Sequence, residues 1–121
     1  MDKIESREDY LEAILQLSDE NHLPKSIDVA NKLGFSKPSI SIAMKKLKED
    51  KLIEIDEKGY IHLTSEGHLV ALKTLEKHEY LKSFFISIGV DEVKAEDTAC
   101  KIEHSIDEDT FNKIKNYIGN K

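Results

Sequence analysis

The sequence predicts a mostly α-helical fold, in which a winged helix-turn-helix with a two-stranded wing precedes a helical region. Two short helical segments are joined by a tight turn that contains glycine, which is the pattern of a helix-turn-helix unit. The helical period then gives way to the two-residue alternation of a β-hairpin, and it returns after the hairpin. We therefore expect a winged helix-turn-helix domain over residues 1–70 and a helical domain over residues 71–121.

The composition favours a soluble, cytoplasmic protein. The chain has 121 residues and a net charge of −6. No apolar run approaches the roughly 18 residues that a membrane helix needs. The charged start, MDKIESREDY, does not resemble a signal peptide or a membrane anchor. A single cysteine excludes an internal disulfide and fits a reducing compartment.

Three helices are expected in the first half of the chain. The first covers IESREDYLEAILQL, whose apolar residues share one side. The second is SIDVANKLG, with Ser26 as its N-cap and Gly34 as its natural stop. Ser36 caps the third helix, and Pro38 falls in its first turn, where the missing N–H does no harm.

The rest of the chain is predicted to form a hairpin and three further helices. The hairpin LIEIDEKGYIHLT turns at Gly59. A long helix covers residues 64–88, a second runs from its cap Asp91 to about Ser105, and a last one begins at its cap Asp107. The stripe expected to be buried on the long helix consists of Leu69, Leu72, Leu75, His78, Leu81 and Phe85.

The third helix has a buried face, formed by Ile40, Met44 and Leu47, and an opposite face from which Ile42 projects. Residues 36–51 contain five lysines against two acidic residues, a local charge of +3 in an acidic chain. An exposed isoleucine beside lysines suits the major groove, where it packs on a thymine methyl while the lysines hold phosphates. The alternative is a solvated helix face, or a helix-turn-helix used for protein contacts. The residues expected at DNA are Ser36, Lys37, Pro38, Ser39, Ser41, Ile42, Lys45 and Lys46.

Three residues near the end of the chain form a possible set of metal ligands. Cys100, Glu103 and His104 occupy positions i, i+3 and i+4 of one predicted helix, so a thiolate, a carboxylate and an imidazole share a face. Each binds divalent transition metals once it is deprotonated. The alternative is a buried structural cysteine beside a Glu-His pair on the surface.

Two other helices carry residues of the same chemistry. Asp9 and Glu12 form an i, i+3 acidic pair in the first helix, where a solvated carboxylate pair is the ordinary alternative. His78 interrupts the apolar stripe between Leu75 and Leu81, where a hydrogen-bonded core histidine is the ordinary alternative. These residues form one metal site only if the three helices meet.

Five segments spread along the chain carry a family resemblance, and they are REDYLEAI at 7–14, SKPSISIAMKKL at 36–47, GYIHLTSEG at 59–67, KHEYLKSFF at 77–85 and GVDEVKAEDTACKIEH at 89–104. With these segments the chain resembles the diphtheria toxin repressor and manganese transport regulator family of metal-dependent repressors, over nearly its whole length. The resemblance implies a transcriptional repressor that binds DNA in response to metal and controls metal-uptake genes.

The resemblance also implies a ligand set, residue by residue. The positions that match the family's metal ligands are Asp9, Glu12, His78, Cys100, Glu103 and His104. Asp9 and Glu12 are like the manganese branch of the family, whereas Cys100 is like the iron branch. Lys82 and Glu96 stand where the ancillary site of the iron branch has a glutamate and a histidine, which argues against a standard ancillary site.

The number and type of these ligands restrict the metal. Three carboxylates, two imidazoles and one thiolate exceed a tetrahedral zinc site and suit Fe²⁺ or Mn²⁺, as one ion or as two that share a carboxylate. The thiolate leans the site slightly towards Fe²⁺. Thiolate sites also bind Zn²⁺, Co²⁺ and Cd²⁺ in vitro.

A homodimer on near-palindromic double-stranded operator DNA is expected. Two recognition helices must reach major grooves that lie one turn, about 34 Å, apart. The run LKSFFISIGV contains more apolar side chains than one helix face buries within a small monomer. We therefore expect Phe84, Phe85 and Ile88 at the dimer interface, with plain core packing as the alternative.

Other functions fit the sequence less well. A redox-responsive regulator would act through Cys100, but the carboxylate at i+3 disfavours a reactive thiolate. A winged-helix regulator that binds a non-metal ligand would leave the acidic residues solvated. No metallohydrolase motif such as HExxH accompanies the ligands, so we expect no enzymatic activity.

Overall fold

Helices dominate the computed structural model, which describes residues 7–119. The elements in chain order are α1 (Arg7–Leu17), α2 (Ser26–Leu33), α3 (Lys37–Glu49), β1 (Ile53–Ile55), β2 (Ile61–Leu63), α4 (Ser65–Ser87), α5 (Glu92–Ile102) and α6 (Glu108–Gly119). The predicted start of the first helix at Ile4, and most of the charged N-terminal segment, lie outside the described residues. None of these helices has the length and apolar composition that crossing a bilayer requires. The chain divides into two compact units, Met1–Leu72 and Lys73–Lys121.

The first unit is organised around one apolar core. Helix α1 contacts α2, α3 and β2, and α3 contacts β1. The large apolar side chains that are at most 1% exposed in this core are Leu11, Ile14, Val29, Ile40, Leu47, Ile53 and Ile61. Burial of each stabilises the fold by about 1.5–3 kcal/mol. Three helices and a hairpin around this core confirm the predicted winged helix-turn-helix.

Capping groups define the turn between α2 and α3. Gly34 adopts a left-handed φ of 74°, which glycine reaches without strain, and it ends α2 as predicted. The Oγ of Ser36 accepts a hydrogen bond from the backbone N–H of Ser39 at 3.3 Å, which confirms Ser36 as the N-cap of α3. The prediction of Ser26 as the N-cap of α2 is wrong, since Lys25 takes that position. The Asp28 carboxylate accepts from the Lys25 backbone N–H at 2.8 Å and closes this end of the helix instead.

The wing is a short antiparallel hairpin whose turn is held by one carboxylate. Ile53 pairs with Leu63 and Ile55 with Ile61. Asp56 accepts hydrogen bonds from the backbone N–H groups of Lys58 at 2.9 Å and Tyr60 at 3.0 Å. These bonds fix the turn, so the sequence prediction of a hairpin is confirmed.

The start of α4 is tied to the segment before the wing. The Thr64 hydroxyl donates to the Lys51 carbonyl at 2.8 Å and accepts from the Gly67 N–H at 3.1 Å. A Cβ added to Gly67 would overlap the backbone carbonyl of Leu52. Only glycine therefore allows this close approach of helix and chain.

The buried face of α4 differs from the predicted stripe. Leu69 is 59% exposed and Leu72 is 43% exposed, so their predicted burial is wrong. The buried residues in this part of the helix are Gly67, Ala71, Thr74, His78 and Leu81. Their spacing of three and four residues is helical, and the small residues at its start allow the closest packing.

The second unit combines the later part of α4 with α5 and α6. Asp91 accepts from the Lys94 N–H at 2.9 Å, and Asp107 accepts from the Thr110 N–H at 2.7 Å, which confirms both as helix caps. The rings of Tyr80 and Phe111 meet edge to face, 6.1 Å apart between centroids. Helix α5 ends at Ile102, three residues before the predicted end at Ser105.

Candidate metal centre

Three of the predicted metal ligands come together in the second unit. Helix α4 supplies His78, and α5 with its C-cap supplies Cys100 and Glu103. One ligand atom of each lies within 4.8 Å of the others. An imidazole, a thiolate and a carboxylate at this separation form a donor set for a divalent transition metal.

Glu103 is the most deeply buried of these residues, at 1% exposure. Its Oε1 lies 2.8 Å from Nδ1 of His78. Its Oε2 is buried and has no hydrogen-bond partner among residues 7–119. A buried carboxylate oxygen without a donor is unfavourable, and a bound cation would satisfy it. The donor set therefore fits a metal ion.

Both ring nitrogens of His78 lie against carboxylates. Nδ1 faces Glu103, and Nε2 lies 2.8 Å from Oε2 of Glu96. An ionised carboxylate only accepts hydrogen bonds, so both nitrogens donate and the ring is an imidazolium. The hydrogen bond to Glu103 is the main cause that raises the pKa of His78 to about 9, against the opposing effect of burial.

His104 follows Glu103 in the turn after α5 rather than on the helix itself. Helix α5 ends at Ile102, and Glu103 is its C-cap, with its backbone N–H donating to the Ala99 carbonyl at 3.0 Å. The prediction that one helix carries Cys100, Glu103 and His104 is therefore wrong. His104 is half-buried, and its Nε2 lies 3.6 Å from Oε2 of Glu103, which keeps it beside the same carboxylate.

Asp9 and Glu12 belong to the first unit, where they lie one turn apart on α1. Asp9 is half-buried, and Glu12 is only 7% exposed. A glutamate this inaccessible is not the solvated surface carboxylate of the alternative interpretation. The role of both residues as metal ligands stays a prediction.

The predicted DNA-facing residues lie on the outer face of α3 and at its start. Ile42 is 72% exposed, which agrees with the helical wheel. Ser39 is half-buried, and the other predicted DNA-facing residues are exposed. Phe84 and Phe85, predicted at the dimer interface, are half-buried, and Ile88 is 62% exposed. Contact of these residues with DNA or with a second chain stays a prediction.

Sequence reasoning did not identify Glu96 as a partner of His78. The signal was present, because positions 96, 100 and 103 have the i, i+4, i+7 spacing of one helix face. Lys82 likewise follows His78 by four residues on α4. Its Nζ lies 3.2 Å from Oε1 of Glu96.

Comparison with protein families matches both parts of the chain. The model of the iron-dependent repressor N-terminal DNA-binding domain covers residues 2–69. The model of the iron-dependent repressor metal-binding and dimerisation domain covers residues 64–121. Together they account for nearly the whole chain.

Individual relatives agree with these matches. An HTH-type transcriptional regulator of Methanocaldococcus jannaschii is 32% identical over 116 residues, which are 94% of this chain and 93% of the relative. The transcriptional regulator MntR of Escherichia coli O6:H1 is 31% identical over 108 residues, which are 89% of this chain and 70% of MntR. The diphtheria toxin repressor of Corynebacterium efficiens is 26% identical over 114 residues, which are 93% of this chain and 50% of that repressor.

Solved structures show the same fold. The manganese regulator SloR superposes with a TM-score of 0.87 at 23% sequence identity, over 97% of this chain and 55% of SloR. This chain thus spans about half the length of SloR and of the diphtheria toxin repressor.

A winged helix in one unit, with a histidine, a cysteine and a glutamate gathered in the other, defines a metal-responsive regulator of transcription. The chain belongs to the iron-dependent repressor family. It is a metal-dependent DNA-binding repressor, with a DNA-binding domain and a metal-binding and dimerisation domain. A regulator that responds to redox or to a non-metal ligand is not favoured by these comparisons.

Proposed function

We propose that this repressor senses Fe²⁺ or Mn²⁺ and controls metal-uptake genes by binding near-palindromic operator DNA as a homodimer. The observation that carries the proposal is the buried Oε2 of Glu103, which has no hydrogen-bond donor among residues 7–119 and lies within a set of histidine and cysteine ligand atoms. Such an oxygen is unfavourable in the protein alone and becomes favourable beside a cation. The repressor would therefore change its preferred state when metal is present.

The proposed ligands are Asp9, Glu12, His78, Cys100, Glu103 and His104. Three of them are carboxylates, and bringing like charges together is unfavourable without a counter-ion. A bound divalent cation supplies that counter-charge. The thiolate of Cys100 leans the site slightly towards Fe²⁺, while Zn²⁺, Co²⁺ and Cd²⁺ are expected to bind in vitro.

Metal-dependent DNA binding would then be a shift between two populations of the protein. The size of the shift is limited by the difference in metal affinity between the two forms. By linkage, operator DNA must tighten metal binding by the same factor.

The proposed DNA-binding surface is the outer face of α3. Ile42 would pack on a thymine methyl in the major groove, while Lys45 and Lys46 hold phosphates. Ser36 already serves as the N-cap of α3, so its contribution to DNA binding would come through the helix start that it fixes.

A DNA-binding titration tests the proposal. Chelator-stripped protein is mixed with DNA from upstream of its own gene and of neighbouring metal-transport genes, in anaerobic buffer at one fixed salt concentration. We expect binding to tighten by about 5- to 150-fold with Fe²⁺ or Mn²⁺, the usual range of allosteric coupling. Mg²⁺, which prefers oxygen ligands, should have little effect. The metal with the lower threshold identifies the preferred ion.

Glu103→Gln is the variant that tests the site, because it removes the charge of the central carboxylate and keeps its size. This variant should bind DNA at the level of metal-free protein whether or not metal is added. A normal metal response in the variant would contradict the site, and binding of the parent protein that ignores both metal and chelator would contradict the function.

A further inference from the structure

The contacts of Glu96 extend the candidate centre beyond its ligands. Oε2 of Glu96 lies 2.8 Å from Nε2 of His78, and Oε1 lies 3.2 Å from Nζ of Lys82. The carboxylate thus bridges an imidazole and an ammonium group, and each of its oxygens has a partner. His78 is only 5% exposed, whereas the Glu96 side chain is 52% exposed, so the contact approaches the buried ring from its outer side.

The two sides of the His78 ring differ in what they offer a cation. On the Nδ1 side stands Glu103, whose second oxygen has no hydrogen-bond partner among the described residues. On the Nε2 side stands Glu96, whose second oxygen is engaged by Lys82. The ammonium group of Lys82 also lies 3.8 Å from Glu92, so a positive charge already occupies this side. The carboxylate oxygen that lacks a hydrogen bond therefore lies on the Nδ1 side, whereas both Glu96 oxygens on the Nε2 side are already engaged, so a divalent cation is favoured on the Nδ1 side.

We propose that Glu96 is a positioning residue for His78 and not a metal ligand, so that the imidazole keeps its proton on Nε2 and gives Nδ1 to the metal ion. A histidine that binds metal through one nitrogen needs a partner for the other N–H, and a carboxylate in that place fixes the orientation of the ring and makes it a stronger ligand. The inference rests on the proposed function, since it assumes that His78 binds the metal.

Nuclear magnetic resonance of the intact protein, with nitrogen-labelled histidine and an NMR-active cadmium isotope, locates the metal on the ring. We expect cadmium coupling at Nδ1 of His78 and a bound proton at Nε2. Coupling at Nε2 would overturn the inference and leave the metal site standing. Absence of coupling at both nitrogens would show that His78 is no ligand, and both this inference and that part of the proposed function would fail.

Metal-binding titrations of variants separate a positioning residue from a ligand. Glu96→Ala should weaken Cd²⁺ and Mn²⁺ binding by about 10- to 100-fold, the usual effect of removing such an outer partner, with an unchanged number of ions per chain. Glu96→Gln should recover most of the affinity, because its amide oxygen still accepts the Nε2–H.

Asp109→Ala is the matched control, since Asp109 is an exposed carboxylate of the same unit that pairs with Lys113 at 3.0 Å. It removes the same charge without touching His78, and it should leave metal affinity unchanged. If Glu96→Ala lowers the count by one ion per chain, Glu96 is a ligand and the inference is wrong. It is equally wrong if Glu96→Ala binds metal as tightly as Asp109→Ala does.

Discussion

His78 is the residue on which the metal chemistry and the acid–base chemistry of this protein meet. In the metal-free protein, a proton on Nδ1 lies between the ring and Glu103, at an N–O distance of 2.8 Å. A metal ion bound by both groups replaces that proton, so the two cations compete for one position. The strength of the histidine–carboxylate pair therefore sets how much metal is needed to displace the proton.

The pKa of His78, raised to about 9, predicts opposite effects of pH on stability and on metal affinity. Because the folded pKa lies above the ordinary 6.5, the pair stabilises the metal-free protein fully below pH 6.5 and loses this effect as pH rises through 9. Metal affinity should instead fall as pH falls below 9, by about tenfold per unit for this proton.

A histidine NMR titration of metal-free protein measures this pKa directly. One of the five histidines should titrate near pH 9. Glu103→Gln removes the main cause of the shift and should lower that midpoint. A His78 midpoint near 6.5 in the parent protein would contradict the charged pair.

Helix α4 shows how small residues direct the packing of a long element. Its buried face begins with Gly67, Ala71 and Thr74, and the larger Leu69 and Leu72 stay exposed. The glycine lets the helix start lie directly against the carbonyl of Leu52. A close approach at one point thus decides which face of the helix is turned inward.

Gly67→Ala should destabilise the protein by about 1–3 kcal/mol, because the added methyl meets a backbone atom that cannot move aside. The midpoint of urea unfolding measures the effect. Gly119→Ala is the matched control, since nothing lies within 4 Å of a Cβ at that position. Equal midpoints for the two variants would show that the helix start shifts without strain.

The helix caps were predicted correctly in three places, whereas the buried face of α4 was not. Local chemistry identified the caps Ser36, Asp91 and Asp107, because each acts within three residues of itself. Apolar periodicity selected Leu69 and Leu72 as buried, because it weights large side chains and ignores glycine and alanine, which pack closest.

In the candidate site, too, features set by local spacing were predicted and contacts between elements were not. Cys100 and Glu103 were found from their spacing, whereas the end of α5 at Ile102 and the contact between His78 and Glu96 were not. No glycine or proline follows Ile102 to mark the helix end, and the contact joins residues on two helices. No pattern within one segment specifies such a contact.

At the scale of the whole molecule, the end of α4 presents an apolar surface. Phe84 and Phe85 are half-buried with their ring centroids 5.6 Å apart. Ile86 is 44% exposed and Ile88 is 62% exposed. Exposed apolar side chains gathered in one segment suit an interface between subunits, and the family model of this region describes a dimerisation domain.

Ile88→Asp should convert the expected homodimer into a monomer, because a carboxylate in an apolar interface loses its water without gaining a partner. Sedimentation equilibrium measures the mass, and DNA with two half-sites should bind the variant more weakly. Asn112→Asp adds the same charge at an exposed position of α6 and should leave the mass unchanged. A dimeric Ile88→Asp variant would place the interface elsewhere.

The buried Oε2 of Glu103, which has no hydrogen-bond donor among residues 7–119, bears on how long the protein lasts as well as on what it binds. Such an oxygen lowers the free energy of unfolding, and a bound ion restores it. Unfolded molecules are the ones that proteases remove, so a modest change in this free energy alters abundance several-fold. Metal starvation would then lower the number of repressor molecules as well as their DNA binding. Repression would return only after new protein had been synthesised.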